Sequence, residues 1–151
     1  MDITKYIGET TEYDKKQEVE RRKVKSWLKS VSAFANGSGG VLLFGVADDD
    51  ALKGLPDVKT ASERISEAVK SKMDPIPSIE LQIRQEEGKD FILLHVAPGA
   101  ETPYYYIGDG GRIAYIRVGN ESVQATATDL KQLVLRGSNS TYDSLPHAVS
   151  V

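Results

Sequence analysis

Apolar and polar positions along the chain alternate in two rhythms, and the first half carries the helical one. Val24, Trp27, Leu28, Val31 and Phe34 recur at three-and-four spacing, which predicts a helix over 21–36 with one apolar face. Arg22, Lys25 and Lys29 fall on the opposite side. The run Asn36-Gly37-Ser38-Gly39-Gly40 should stop this helix, because Gly and Asn tolerate the left-handed conformation that follows a helix end. Val41 to Val46 is apolar without alternation, as expected of a strand covered on both faces, and Asp48-Asp49-Asp50 should end it at the surface. Residues 51–57, with Gly54 and Pro56, read as a loop. Thr60-Ala61-Ser62-Glu63 has the form of a capping box ahead of a second apolar stripe, Ala61, Ile65, Ala68, Val69 and Met73. Asp74-Pro75-Ile76-Pro77 closes that helix.

The second half changes to the period of strands. Ile79, Leu81 and Ile83 alternate with Glu80, Gln82 and Arg84, then a turn at 86–89 leads into Phe91–Val96. Tyr104-Tyr105-Tyr106 precede a glycine-rich turn at 108–111, and 112–118 alternates again. Gly119-Asn120-Glu121-Ser122 reads as a tight loop. A last helix is expected over 126–136, with Leu130, Leu133 and Val134 inward and Gly137 as its stop. A short strand is expected near Thr11 to Lys15. Together these elements predict an α+β (α/β-like) domain, a mixed β-sheet with about three helices packed on it. The domain should span 1–137, with 138–151 a linker or tail leading to further domains outside this chain.

Bulk composition narrows the function classes. The chain has 151 residues, which suits one domain, and no cysteine, which excludes disulfides, thiolate chemistry and cysteine metal sites. No apolar run reaches the roughly 18 residues of a membrane span and the N-terminus has no signal-peptide core, so a cytoplasmic protein is expected. The net charge of −3 counts against a uniformly basic nucleic-acid binder. The charge is unevenly placed: from Lys15 to Lys29 there are seven Lys or Arg and two acids. Such a stripe can hold phosphates on an acidic protein, although a basic helix face is more often only solvated.

The candidate chemistry is of three kinds. Lys15, Arg21, Arg22, Lys25 and Lys29 would neutralise phosphates, helped by Arg112 and Arg117, with Ser122 and its loop amides as further donors. Glu9, Glu12, Asp14, Asp48, Asp49 and Asp50 offer the oxygen ligands that suit Mg²⁺ or Mn²⁺. Gly37-Ser38-Gly39-Gly40 is not a phosphate loop, because no Lys-Ser or Lys-Thr follows and the glycines precede a strand rather than a helix. His95 sits in an apolar strand with no motif around it, and nothing resembles a nucleophile elbow.

Two stretches also carry a family resemblance. SVSAFANGSGGVLLFGVADDD (30–50) and AYIRVGNESVQAT (114–126) resemble the recurring blocks of the Schlafen-type, Alba-like DNA-binding domain of bacterial divergent-AAA regulators and animal Schlafen proteins. That pattern has an acidic residue, Glu-aromatic-Lys, SAFAN, a glycine pair, an apolar strand, Gly and an acidic pair. Here its first part reads Glu9, then Glu12-Tyr13-Asp14-Lys15. The resemblance implies an Alba-like fold and a nucleic-acid-binding module of a transcriptional regulator, DNA rather than RNA; a homodimer is a separate expectation. Schlafen relatives cleave RNA with a cation-binding carboxylate triad. Its matched positions would be the catalytic residues Glu9, Glu12 and Asp48, with Asp49 as an alternative ligand for Mg or Mn. Glu9 and Glu12 stand closer together than the Schlafen pair and Asp14 is an addition, so binding rather than catalysis is the leading expectation. A protein-interaction or dimerisation module is the third reading.

Overall fold

The computed structural model describes residues 3–7 and 11–144, with side chains described at 5–7 and 11–138. After a 3-10 turn at Ile3–Tyr6 come β1 (Tyr13–Lys16), α1 (Lys25–Ala35), β2 (Gly40–Phe44), α2 (Val58–Lys72) and β3 (Met73–Asp74). Next come β4 (Ile79–Glu86), β5 (Lys89–Val96), β6 (Tyr105–Tyr106), β7 (Ile113–Val118), β8 (Glu121–Gln124) and α3 (Ala127–Ser144). The strands form two four-stranded sheets, β1-β2-β5-β4 and β3-β6-β7-β8. Among the described residues only β1 and β2 run parallel, joined through α1, so the first sheet is mixed and the fold is α+β as expected.

Helix α1 lies between the two sheets, meeting β2 on one side and β6, β7 and β8 on the other. Trp27, Leu28, Val31 and Phe34 are fully buried, with Trp27 edge-on to Phe44 at 5.5 Å between ring centres. The apolar stripe therefore has the predicted register. Its polar neighbours Ser30, Ser32 and Asn36 are buried as well, because a second sheet covers them. Only a narrow strip holding Lys25 and Lys29 reaches solvent.

Ser32 and Asn36 explain the SAFAN sequence physically. One helical turn apart, they grip the backbone of the second sheet. Ser32 Oγ donates to Tyr104 O at 2.7 Å and accepts from Tyr115 N at 3.0 Å. Asn36 Nδ2 donates to Tyr104 O and Tyr115 O, and its Oδ1 accepts from Tyr104 N at 2.7 Å. The glycines that follow permit close packing. A Cβ on Gly40 would lie 2.5 Å from the Phe34 ring, and Gly39 holds φ +81° against the Val96 carbonyl.

Strand β2 is buried on both faces. Leu42 and Phe44 face the main core, while Val41 and Leu43 join Phe91 and Leu93 in a smaller cluster covered by Tyr6, Ile7 and Leu52. The N-terminal turn is tied to this outer face by Glu86. Tyr6 donates its hydroxyl to Glu86 Oε1 at 2.7 Å, and Lys5 Nζ pairs with the same oxygen at 2.8 Å. The Lys5 bond first, and the Tyr6 bond second, hold the Glu86 carboxyl below its ordinary 4.5. A depressed carboxylate stabilises the fold above its unfolded pKa and ceases to as pH falls through the folded value. Anchoring of Tyr6 should therefore weaken as pH drops below 4.5, read from the Tyr6 ring shifts by NMR. Glu86→Gln should flatten that titration; an unchanged profile would detach the effect from Glu86.

Several boundaries differ from the sequence reading. Helix α1 begins at Lys25, not 21, because the chain enters through buried Val19 and Val24, and Ser26 Oγ is bonded to Glu20 instead of opening a longer helix. Asp57, not Thr60, caps α2, accepting from Thr60 N at 3.1 Å and Thr60 Oγ1 at 2.7 Å. The 119–122 loop is shorter than expected: Glu121 and Ser122 already belong to β8, because Gly119 at φ +63° closes a two-residue turn. Gly137 does not stop α3. It lies inside the helix where an added Cβ would collide with the Thr102 backbone, and the helix continues to Ser144. Leu133 is buried, but Val134 is 48 % exposed.

Candidate nucleic-acid interface

The basic residues do not form one surface. A groove of about 560 Å³ opens at the start of α1 and is lined by Arg22, Lys23, Val24, Lys25, Ser26 and Lys29. Lys72 from the end of α2, Tyr106, Asp109, Tyr115 and Ser122 complete it. The first turn of α1 carries no acidic side chain and Val24 supplies no side-chain cap, while Glu20 reaches that turn from outside it, accepting from Ser26 Oγ at 3.0 Å. Asp109 is the one carboxylate in the lining, 3.6 Å from Lys25 Nζ. Tyr106 donates its hydroxyl to Asp109 at 3.2 Å. Burial first, and then the Asp109 contact, push that phenol above its ordinary range.

Of the sequence-predicted binding residues, Arg22, Lys25, Lys29 and Ser122 meet in this groove. Arg21 is exposed just outside it. Lys15 lies elsewhere, bonded to Asp50 and to the Asp48 carbonyl, and the Asp50 bond raises its pKa. Arg112 pairs with Asp74 at 2.9 Å and stacks 4.6 Å over Tyr105. Lys23 and Lys72 are the groove cations that sequence reasoning missed. Lys72 belongs to a different helix, so no spacing rule links it to Lys25; only the basic last turn of α2, Lys70 and Lys72, hinted at it.

Arg117 is turned inward. Its guanidinium holds Asp14 through two bonds of 2.8 and 3.0 Å and lies 4.9 Å over the Phe34 ring. Ser30 donates to Asp14 Oδ2 at 2.6 Å, and Ser122 sits between Ser30 and Arg117 at 3.0 and 2.9 Å. The expected phosphate ligand Arg117 thus has a carboxylate in the place a phosphate would take. Asp14, read in the sequence as a candidate cation ligand, instead holds Arg117, and Ser30, which sequence reasoning did not select, completes the network.

The carboxylates are placed by the β1–β2 register. The two strands are neighbours, as a shared cation site requires. They are parallel, however, with Val41 N bonded to Glu12 O and Lys15 opposite Leu43. Asp48 lies past the far end of β2, beside Lys15, and Glu12 is three strand residues, about 10 Å, further back. One Mg²⁺ needs each oxygen within about 2.0–2.2 Å. Among the described residues, no three His, Asp or Glu side chains converge where a metal could be held. Glu9 lies outside the described residues. Asp49 is turned to the backbone of Ala51 at 3.1 Å. Among the described residues, Glu12, Asp48 and Asp49 form no group that could hold a divalent cation. No helix of the described residues is long and apolar enough to cross a membrane.

Comparison with known proteins places this arrangement. No curated protein matches the chain. Among solved structures, the chain is similar to the N-terminal domain of an ATP-dependent DNA helicase RecG-related protein from Nitrosomonas europaea. The TM-score is 0.54 at 24% identity, covering 82% of this chain and 88% of that one. It is also similar to the DIP2311 protein of Corynebacterium diphtheriae, with TM-score 0.59 at 21% identity. That match covers 82% of this chain and 24% of the other, so the domain spans about a quarter of that longer protein. At these identities the likeness is one of fold. The family model described as Schlafen, AlbA_2 matches residues 9–126, which include the Asp14–Arg117 pair, the SAFAN helix and all the residues lining the basic groove, and the chain belongs to that family.

Proposed function

We propose that this domain binds nucleic acid, duplex DNA foremost, as the binding module of a transcriptional regulator. The observation that carries this reading is the groove. Helices α1 and α2 and the segment leading into α1 bring Arg22, Lys23, Lys25, Lys29 and Lys72 around one opening on a protein whose total charge is negative. A concave site of one sign concentrates field and draws in polyanions. The name of the Nitrosomonas europaea relative, with its DNA helicase, points the same way. The groove offers phosphate contacts and few base-reading groups, so backbone binding should dominate over sequence preference.

The test is a titration of labelled duplex DNA, single-stranded DNA and a structured RNA at two salt concentrations. Each lost phosphate contact should lower the log–log salt slope on duplex by about 0.9, so Lys25→Glu with Lys29→Glu should lower it by about 1.8. Lys72→Glu should weaken binding as Lys25→Glu does, although it lies on another helix. Arg112→Ala, whose partner is Asp74, should leave affinity near that of the parent. Binding that survives the Lys25, Lys29 and Lys72 changes would remove the groove from the reading.

A further inference from the structure

The free edge of the first sheet matches itself. Strand β4 is its outermost strand, eight residues long and, among the described residues, paired only with β5. Ser78 O accepts from Ala97 N at 3.0 Å, which sets the alternation of the ladder. The even-numbered residues of β4 direct their backbone groups to β5, and Ile79, Leu81, Ile83 and Gln85 direct theirs out of the edge. An open row of this length is a template for another strand.

The side chains on β4 choose the partner. Glu80 and Arg84 have no oppositely charged partner among the described residues. The Arg84 guanidinium lies 5.1 Å over the Tyr6 ring and donates to Ile83 O at 3.1 Å. Gln82 is held by His95 at 2.9 Å. If a second β4 is laid antiparallel about a two-fold axis at Gln82, Glu80 falls opposite Arg84 of the other copy, twice. Leu81 then falls opposite Ile83, and the outward backbone groups of Ile79, Leu81, Ile83 and Gln85 meet as hydrogen-bonded pairs. Shifting the register by two residues in one direction places Glu80 against Glu86, a like-charge pair that the fold would disfavour. Ile83, 48 % exposed, and Ile76, 59 % exposed, lie on and just before this strand, where a second sheet would cover them.

We propose that two copies of this chain associate through β4, joining their first sheets into one continuous sheet, with Glu80 and Arg84 fixing the register. No residue of β4 lines the basic groove, so this inference does not rest on nucleic-acid binding.

The experiment measures molecular mass by sedimentation equilibrium across a concentration series. The parent should run as a dimer at high concentration. Glu80→Arg and Arg84→Glu alone should each weaken self-association about tenfold or more, since each sets like charges opposite one another twice. Mixing these two variants should restore the dimer, because each then meets its complement, and the double exchange Glu80→Arg with Arg84→Glu should restore it in one chain. Ile83→Pro removes an outward N–H without touching the β5 ladder and should give a folded monomer by circular dichroism. A parent that stays monomeric throughout, or single variants that dimerise as well as the mixture, would overturn the proposal.

Discussion

Asn36→Ala should destabilise the domain by about 2–6 kcal/mol, the cost of two orphaned buried groups. Asn36 is 3 % exposed and joins α1 to two strands of the second sheet. Its Oδ1 accepts from Tyr104 N at 2.7 Å, and its Nδ2 donates to Tyr115 O at 2.9 Å and Tyr104 O at 3.1 Å. Alanine would leave the Tyr104 N–H and Tyr115 C=O buried without partners, while Tyr104 O keeps Ser32 Oγ. Each orphaned buried group costs about 1–3 kcal/mol, against a total stability of about 5–15 kcal/mol for a domain. Asn36→Asp keeps the acceptor, loses the donor and buries a charge, so it should be no better tolerated. Ser32→Ala orphans only Tyr115 N and should cost less. Urea unfolding measures all three. A loss below about 1 kcal/mol for Asn36→Ala would mean that water replaces the amide and that the clamp is not what joins the sheets.

The contrast between what was legible in the sequence and what was not runs through this same helix. The spacing of Trp27, Leu28, Val31 and Phe34 reported a buried face because a helix period is a local property of the chain. The alternation in β4 and β7 was legible for the same reason. Burial of Ser30, Ser32 and Asn36 was not, because their partners Ser122, Tyr104 and Tyr115 lie on strands far along the chain and polar residues on a helix ordinarily signal solvent. Gly137 was misread since the same residue serves as a helix stop and as a point of close approach; only the position of Thr102 decides between them. The groove was half legible. Its α1 cations stood in one stripe, but Lys72 arrives through the packing of α2. The carboxylates show the limit most clearly. The adjacent strands that a shared site requires are found, yet strand direction, which no local pattern encodes, sets Glu12 and Asp48 at opposite ends.

Asp14→Ala should cost about 3–5 kcal/mol, the range for removing one partner of a buried ion pair. Arg117 has a side chain only 9 % exposed, packed over Phe34, and its Nε already lacks a partner. Without Asp14 its guanidinium would keep Ser122 and a distant Glu12 carboxylate at 3.8 Å, too little to offset a cation held out of water. The reverse change should be milder. Asp14 is 21 % exposed, so after Arg117→Ala water can reach the carboxylate, and Ser30 still donates to it. The two single changes are therefore unequal, with Asp14→Ala the worse. Replacing both residues by apolar side chains, Asp14→Leu with Arg117→Met, should cost far less than the two single changes together, because no charge is left buried. Denaturant unfolding of this double and of its own singles, Asp14→Leu and Arg117→Met, closes the cycle. Equal single losses that simply add would show that the pair does not interact. A double variant that keeps its fold and still binds duplex DNA would show that Arg117 serves the structure, not the phosphates; loss of binding in that folded variant would return Arg117 to the interface, reached through Ser122 at the groove wall.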